Sequence, residues 1–166
     1  ASNPFIDGIF VAGIHEGLTQ IASTGVQTGE FPKTSGQIWG YIFNGAWHEG
    51  TDTPRHNLQL NGVTLDGKKN PAITMHSNLG ITFNLSAIRN SLPGVRIKSF
   101  SSLFGVSQTA EEIIKLRDFS KFTQMPGIEK LSAERHSTAE LWVFLDGKTV
   151  LRQKVSSGSK ASNIYI

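Results

Sequence analysis

The sequence predicts an all-β protein: an antiparallel β-sandwich or jelly roll carrying one short helical insertion. Three observations carry that prediction. Five dipeptides that tolerate positive φ punctuate the chain: Asp7-Gly8, Asn44-Gly45, Asn61-Gly62, Asp66-Gly67 and Asp146-Gly147. Short apolar or alternating runs, about nine in all, lie between such turns, as in sandwiches and barrels. No strand–helix–strand alternation is sustained, which argues against a parallel α/β sheet.

In chain order, Gly8–Ile14 reads as a strand and Gln37–Phe43 as an aromatic-rich one. Asn57–Leu65 reads as a short strand pair around Asn61-Gly62, and Ala72–Met75 and Gly80–Leu85 as two further strands. A short helix fits Leu85–Asn90, before Pro93-Gly94. Val95–Gly105 is an alternating strand, with Val95, Ile97 and Ser99 on one face and Arg96, Lys98 and Phe100 on the other. Thr109–Arg117 predicts a helix, with Thr109 as N-cap and Glu111 and Glu112 complementing its dipole. It opens an insertion spanning 109–138. Leu141–Asp146 and Thr149–Val155 form the clearest hairpin. The Ser-rich stretch 156–162 reads as a linker, and Asn163–Ile166 as a closing edge strand.

A chain of 166 residues with 38% hydrophobic content is long enough for one domain with its own core, so residues 1–166 read as a single domain. No apolar run approaches membrane-spanning length, and no signal peptide is expected from the first residues. A net charge of +3 without a basic block argues against a nucleic-acid partner. With no cysteine, disulfides, thiol catalysis and Cys-based zinc sites are excluded.

The five histidines are His15, His48, His56, His76 and His136. His48-Glu49 lacks the second histidine one turn away that a metalloprotease helix needs, so ordinary loop histidines are the simpler reading. Lysines at 68 and 69 spoil a calcium loop at Asp66, and a structural calcium ion from distant sandwich loops is the one cofactor left open. There is no Gly-x-Ser-x-Gly and no phosphate loop; Gly25–Gly29 reads as flexible. Glu16, Glu30, Glu49, Asp52 and Asp66 offer no spacing that selects a glycosidase pair. The aromatic residues say more. Trp39 and Tyr41 share a strand face, and Trp142 is either core or outward-facing. Trp47 lies in the polar, Gly-rich stretch Asn44–Gly50. An indole among Asn, His and Glu suits a sugar site, the ring taking a pyranose face and the polar groups its hydroxyls. A tryptophan capping one end of a sandwich is the equal alternative. The sequon Asn84-Leu85-Ser86 reads as chance.

Four segments go beyond composition: Leu58–Gly62, then Ala72–Leu85 (Ala-Ile-Thr-Met-His-Ser-Asn-Leu-Gly-Ile-Thr-Phe-Asn-Leu), Val95–Val106 and Ala139–Lys148. In order and spacing, over roughly 57–155, they resemble the novel carbohydrate-binding module family related to family 51 carbohydrate-binding modules. Those domains carry a Gly-hydrophobic-His-Ala/Ser segment, a hydrophobic-Thr-Tyr/Phe-Asp-Leu strand, a Gly-Val/Ile strand end and a Val-x-Val-Asp-Gly-Lys hairpin. The chain departs from them in having Asn84 for the family's Asp and Ser107-Gln108 for its acidic pair, a longer 109–138, and only a loose match over 1–50. The resemblance implies a jelly-roll sandwich that binds a glycan or polysaccharide without cleaving it, as an accessory module of an exported bacterial protein such as those of planctomycetes. By motif it carries over His76. With the sugar-site reading of Trp47, the expected ligand-binding set is Trp47, His48, Glu49, His56, His76 and Asn78. The alternatives are a sandwich making protein contacts through 109–138, and a hydrolase or lyase using Glu49 with His48 or His56.

Overall fold

The structure is a computed structural model and describes residues 3–14, 17–36, 38, 42–45, 59–65, 70–108 and 137–166. Strands make up 44% of the described residues against one short helix, so the β-rich prediction holds. The elements in order are β1 (Ile6–Val11), β2 (Thr19–Gln20), β3 (Gln27–Thr28), β4 (Ile42–Asn44), β5 (Gln59–Leu60), β6 (Val63–Thr64), β7 (Ile73–Met75), β8 (Leu79–Phe83), α1 (Leu85–Ser91), β9 (Ser101–Phe104), β10 (Thr138–Leu145), β11 (Lys148–Ser156) and β12 (Ser162–Tyr165). They form separate antiparallel pairs: β1–β8, β2–β3, β4–β7, β5–β6, β9–β12 and β10–β11.

Local turn chemistry explains the hairpins. Asn61 and Gly62 both take positive φ (52° and 77°) between β5 and β6, as do Asp146 and Gly147 (49° and 82°) between β10 and β11. Two successive left-handed residues match the right-handed twist of the flanking strands. The β10–β11 ladder pairs Val143 with Leu151 but Phe144 with Thr149, leaving Val150 as a bulge. The extra residue turns Thr149 toward the face of Trp142 and Phe144, where its hydroxyl donates to Glu30 Oε2 at 2.7 Å.

Phe31 packs across that face. The Phe31 ring lies 5.5 Å from Trp142, 5.3 Å from Phe144 and 6.0 Å from Phe10 of β1. Arg152 stacks on the Trp142 indole at 3.7 Å, and its Nη2 donates to Glu140 Oε1 at 3.2 Å. Trp142 Nε1 donates to the same carboxylate at 3.0 Å. The indole thus belongs to packing rather than to an open platform. Ile21, Val155 and Ile164 are the buried apolar residues among those described. Eighteen large apolar side chains stay exposed, so the described pairs do not close around one continuous core.

Several expectations shift. Gln27–Thr28, read as flexible, pairs with Thr19–Gln20 because Ile21 N–H donates to Val26 O (2.9 Å) and Gly25 N–H to Ala22 O (3.1 Å). The loop is also clipped to β1: Asp7 accepts from Ser23 N–H at 2.6 Å and from its hydroxyl at 2.5 Å. Of the expected strand Val95–Gly105, only Ser101–Phe104 is a strand, paired with β12. The Ser-rich stretch is no loose linker, because Ser159 N–H and hydroxyl both donate to Ser156 O (3.1 and 2.6 Å). β12 confirms the closing strand. The helix at 85–91 forms as read, capped by Asn84 Oδ1, which accepts from Ala87 N–H at 2.9 Å. The amide oxygen of the sequon asparagine thus serves as the helix cap. The helix expected at Thr109–Arg117 and the rest of the insertion to Arg135 and His136 lie outside the described residues, as do Trp39 and Tyr41.

Two stability predictions follow from these contacts. Phe31→Ala should lower unfolding free energy by about 3 kcal/mol, near the lower end for a phenylalanine truncation because the ring is only half-buried, measured by urea titration. The two Ser23 donors hold the Asp7 carboxyl below its ordinary value of 3.8. The clip is therefore fully present above the ordinary carboxylate range and is lost as pH falls through the lower, folded-state value. The urea midpoint should fall less between pH 5 and pH 2 in Asp7→Asn than in the parent chain; equal slopes would remove Asp7 from the acid response.

Candidate functional site

The described part of the expected site is the arch His76–Asn78. It carries the chain from β7, which pairs with β4, to β8, which pairs with β1. Crossing between strand pairs needs a sharp reversal, and Asn78 provides it with φ of +65°. Asparagine is among the few side chains that accept this conformation readily. The Asn78 carbonyl then accepts from Ala12 N–H at 2.8 Å.

A second loop locks the same corner. Thr34 donates its hydroxyl to Ala12 O at 2.8 Å and its N–H to Gly13 O at 3.0 Å, and its hydroxyl accepts from Gly36 N–H at 3.1 Å. Gly13 is buried with φ of +63°, and a Cβ there would lie 2.3 Å from Pro32 O. Only glycine lets the two loops approach so closely. The Ala12–Gly13 and Thr34–Gly36 elements are not marked in the sequence; Ala-Gly and Thr-Ser-Gly are too common to signal a junction without its partner.

His76 stands exposed on this corner, with Nδ1 at 3.2 Å from both the carbonyl and the hydroxyl of Ser77. Ser77 thereby restrains the ring whichever nitrogen carries the proton. Neither His76 nor Asn78 is a partnerless side chain. Through its backbone Asn78 also shapes the arch, which leaves open the hydrogen bonding expected of its side chain.

The other expected site residues, Trp47, His48, Glu49 and His56, lie outside the described residues. What is described is the anchor of their loop. Gly45 N–H donates to Ala72 O at 2.7 Å, and Gly45 O accepts from the Thr74 hydroxyl at 2.7 Å. The β4–β7 register, with Asn44 opposite Ile73 and Ile42 opposite Met75, sets that anchor at one end of β7 and His76 at the other. Four residue steps through β7 carry the chain from Ala72 to His76, about 13 Å.

Comparison of the chain with protein-family models, with curated sequences and with solved structures finds no match.

Among the described residues, two grooves of about 180 and 280 Å³ lie beside Phe10. Both are smaller than pockets that engulf a small-molecule ligand. The larger is lined by Asp7 and Ser23, but two donors holding a carboxylate ionised make it a poorer base, and no histidine lines the groove. Among the described residues no three His, Asp or Glu side chains gather to hold a metal, and no helix is long and apolar enough to cross a membrane.

The arch separates conformation from chemistry at Asn78. Asn78→Gly should leave stability within about 0.5 kcal/mol, whereas Asn78→Val should cost about 1–3 kcal/mol through the left-handed backbone. Chemical denaturation of the pair checks this; equal losses would mean that the side chain, not the backbone, holds the arch.

Proposed function

We propose that this chain is a non-catalytic carbohydrate-binding module of an exported bacterial protein, its strand pairs belonging to a jelly-roll sandwich. The observation that carries the reading is the exposed His76, restrained by Ser77 on an arch that the Ala12 and Thr34 hydrogen bonds pin in advance. A polar group held ready loses little freedom on binding, which matters most for small, wet ligands such as sugars. The small grooves favour a ligand lying on the surface over one that is engulfed.

In this reading Trp47 stacks on a pyranose face, while His48, Glu49, His56, His76 and Asn78 exchange hydrogen bonds with hydroxyls. The separation of the loop anchor from His76 along β7 favours an oligosaccharide over a single sugar. Calcium, if bound, has a structural role.

A panel of polysaccharides and glycans, screened with and without calcium, tests the proposal. Binding should be weak and specific. Trp47→Ala should abolish it, and His76→Ala should weaken it roughly tenfold, about the worth of one hydrogen bond in a well-packed site. Circular dichroism should show both variants folded. A folded parent chain that binds nothing on a broad panel, or unchanged binding in Trp47→Ala, would sink the proposal.

A further inference from the structure

We propose that the open end of the β10–β11 face is a second ligand site, which takes the carboxylates of a uronic-acid oligosaccharide. The ladder builds it. Trp142 pairs with Arg152, Glu140 with Lys154 and Thr138 with Ser156. Directly paired residues share a face, and so do residues two apart, so these six form one strip about 14 Å long. Phe31 packs on Trp142 and Phe144 at one end of the face. Past that contact, Thr138, Glu140, Arg152 and Lys154 are exposed.

The strip holds one cation in a fixed place. The Arg152 guanidinium lies 3.7 Å over the Trp142 indole, while its side chain stays 51% exposed. Its Nη2 donates to both Glu140 oxygens, at 3.2 and 3.3 Å. Trp142 Nε1 donates to one of those oxygens at 3.0 Å, which fixes the carboxylate in turn. Nε and Nη1 of Arg152 meet no acceptor among the described residues. A guanidinium is planar and keeps its charge, so stacking on the ring leaves these donors at a defined position beside the strand. Lys154 supplies a second cation two residues along β11, about 7 Å away. The Glu140 oxygens already accept three bonds, and Lys154 makes no ion pair among the described residues.

Charge and chemistry select the occupant. Two cations against one carboxylate leave the strip net positive, and hydrogen bonds from a guanidinium to a carboxylate are among the stronger polar contacts. Thr138 and Ser156 continue the strip with hydroxyls, which both donate to and accept from sugar hydroxyls. The choice of a sugar as the carrier of the carboxylates rests on the proposal that the chain is a carbohydrate-binding module. A neutral sugar would gain little here, because Arg152 already covers the indole on which a pyranose would stack. Nucleic acid fits worse, since two charges neutralise few phosphates and the same ring is closed to a base.

The test titrates the full chain with an oligogalacturonate, its neutral methyl ester and an oligoglutamate of similar length. Calorimetry reads affinity, and the NMR signals of Trp142 Nε1–H and Arg152 Nε–H read position. The expected result is saturable binding of the oligogalacturonate, roughly tenfold tighter than of the other two, with both signals shifting. R152K keeps the charge but loses the stacked plane, and should bind on the order of tenfold more weakly; K154A should bind about threefold more weakly. Circular dichroism should show both variants folded. A folded parent chain that binds no oligogalacturonate would overturn the proposal. So would full affinity in R152K, which would reduce the effect to net charge, or binding that leaves both signals unmoved. Equal binding of oligoglutamate would also overturn it, by making the partner an acidic protein. Neutral glycans report on the corner of Trp47 and His76 and the oligogalacturonate on this strip, so either site can fail alone.

Discussion

The arrangement of the described elements depends most on the packing of Phe31. Its ring touches one side chain from β1 and two from β10, and so joins two strand pairs that share no hydrogen-bond ladder. The neighbouring Glu30 adds a polar tie, accepting from Thr149 on β11. The Val150 bulge makes that tie geometrically available. Dispersion and area burial at the aromatic cluster are non-directional, whereas the Glu30–Thr149 bond selects one angle of approach. The combination fixes orientation without needing a large core.

A similar division of labour holds at the other joints. Phe10 lies over Gly80, where a Cβ would come within 2.1 Å of the ring, so β8 must offer a bare backbone to receive it. Thr82 donates its hydroxyl to Ile21 O and Asp7 holds Ser23, so two polar contacts fasten the β2–β3 hairpin onto the β1–β8 pair. Asn61 Oδ1 accepts from Ala161 N–H at 2.8 Å, tying the β5–β6 turn to the start of β12. Small strand pairs are thus joined by single side chains reaching across. Each joint is individually weak, and local opening is expected to follow these seams.

Legibility in the sequence followed the same seams. The hairpins at Asn61-Gly62 and Asp146-Gly147 were readable because their turn signal lies within the pair itself. So was α1, whose end is marked by Pro93-Gly94. What distant partners decide was not readable. Val95–Ser99 has the alternation of a strand but is no strand among the described residues. Gln27–Thr28 lacks strand character yet pairs, in a loop that Asp7 clips at Ser23 from 16 residues upstream. Trp142 was ambiguous for the same reason: its two neighbours, Phe31 and Arg152, come from another segment and from the opposite strand. At the candidate site, His76 was named from its motif, while the Thr34 and Gly13 bonds that steady its arch pair residues far apart in sequence.

The arch explains why a histidine there is better suited to binding than one on a strand face. A strand residue is oriented by its ladder, and its neighbours two residues away share and crowd the same surface. A residue at a crossing between strand pairs is free of that crowding but is normally mobile. Here the left-handed Asn78, the Ala12 bond and the Thr34 clamp remove the mobility without covering the side chain. The strain of a positive φ at a non-glycine residue is of the size that a few backbone hydrogen bonds offset. Exposure and restraint, which usually oppose each other, therefore coincide at His76, and that coincidence is the physical ground on which the proposed recognition is assigned to this corner rather than to the grooves beside Phe10.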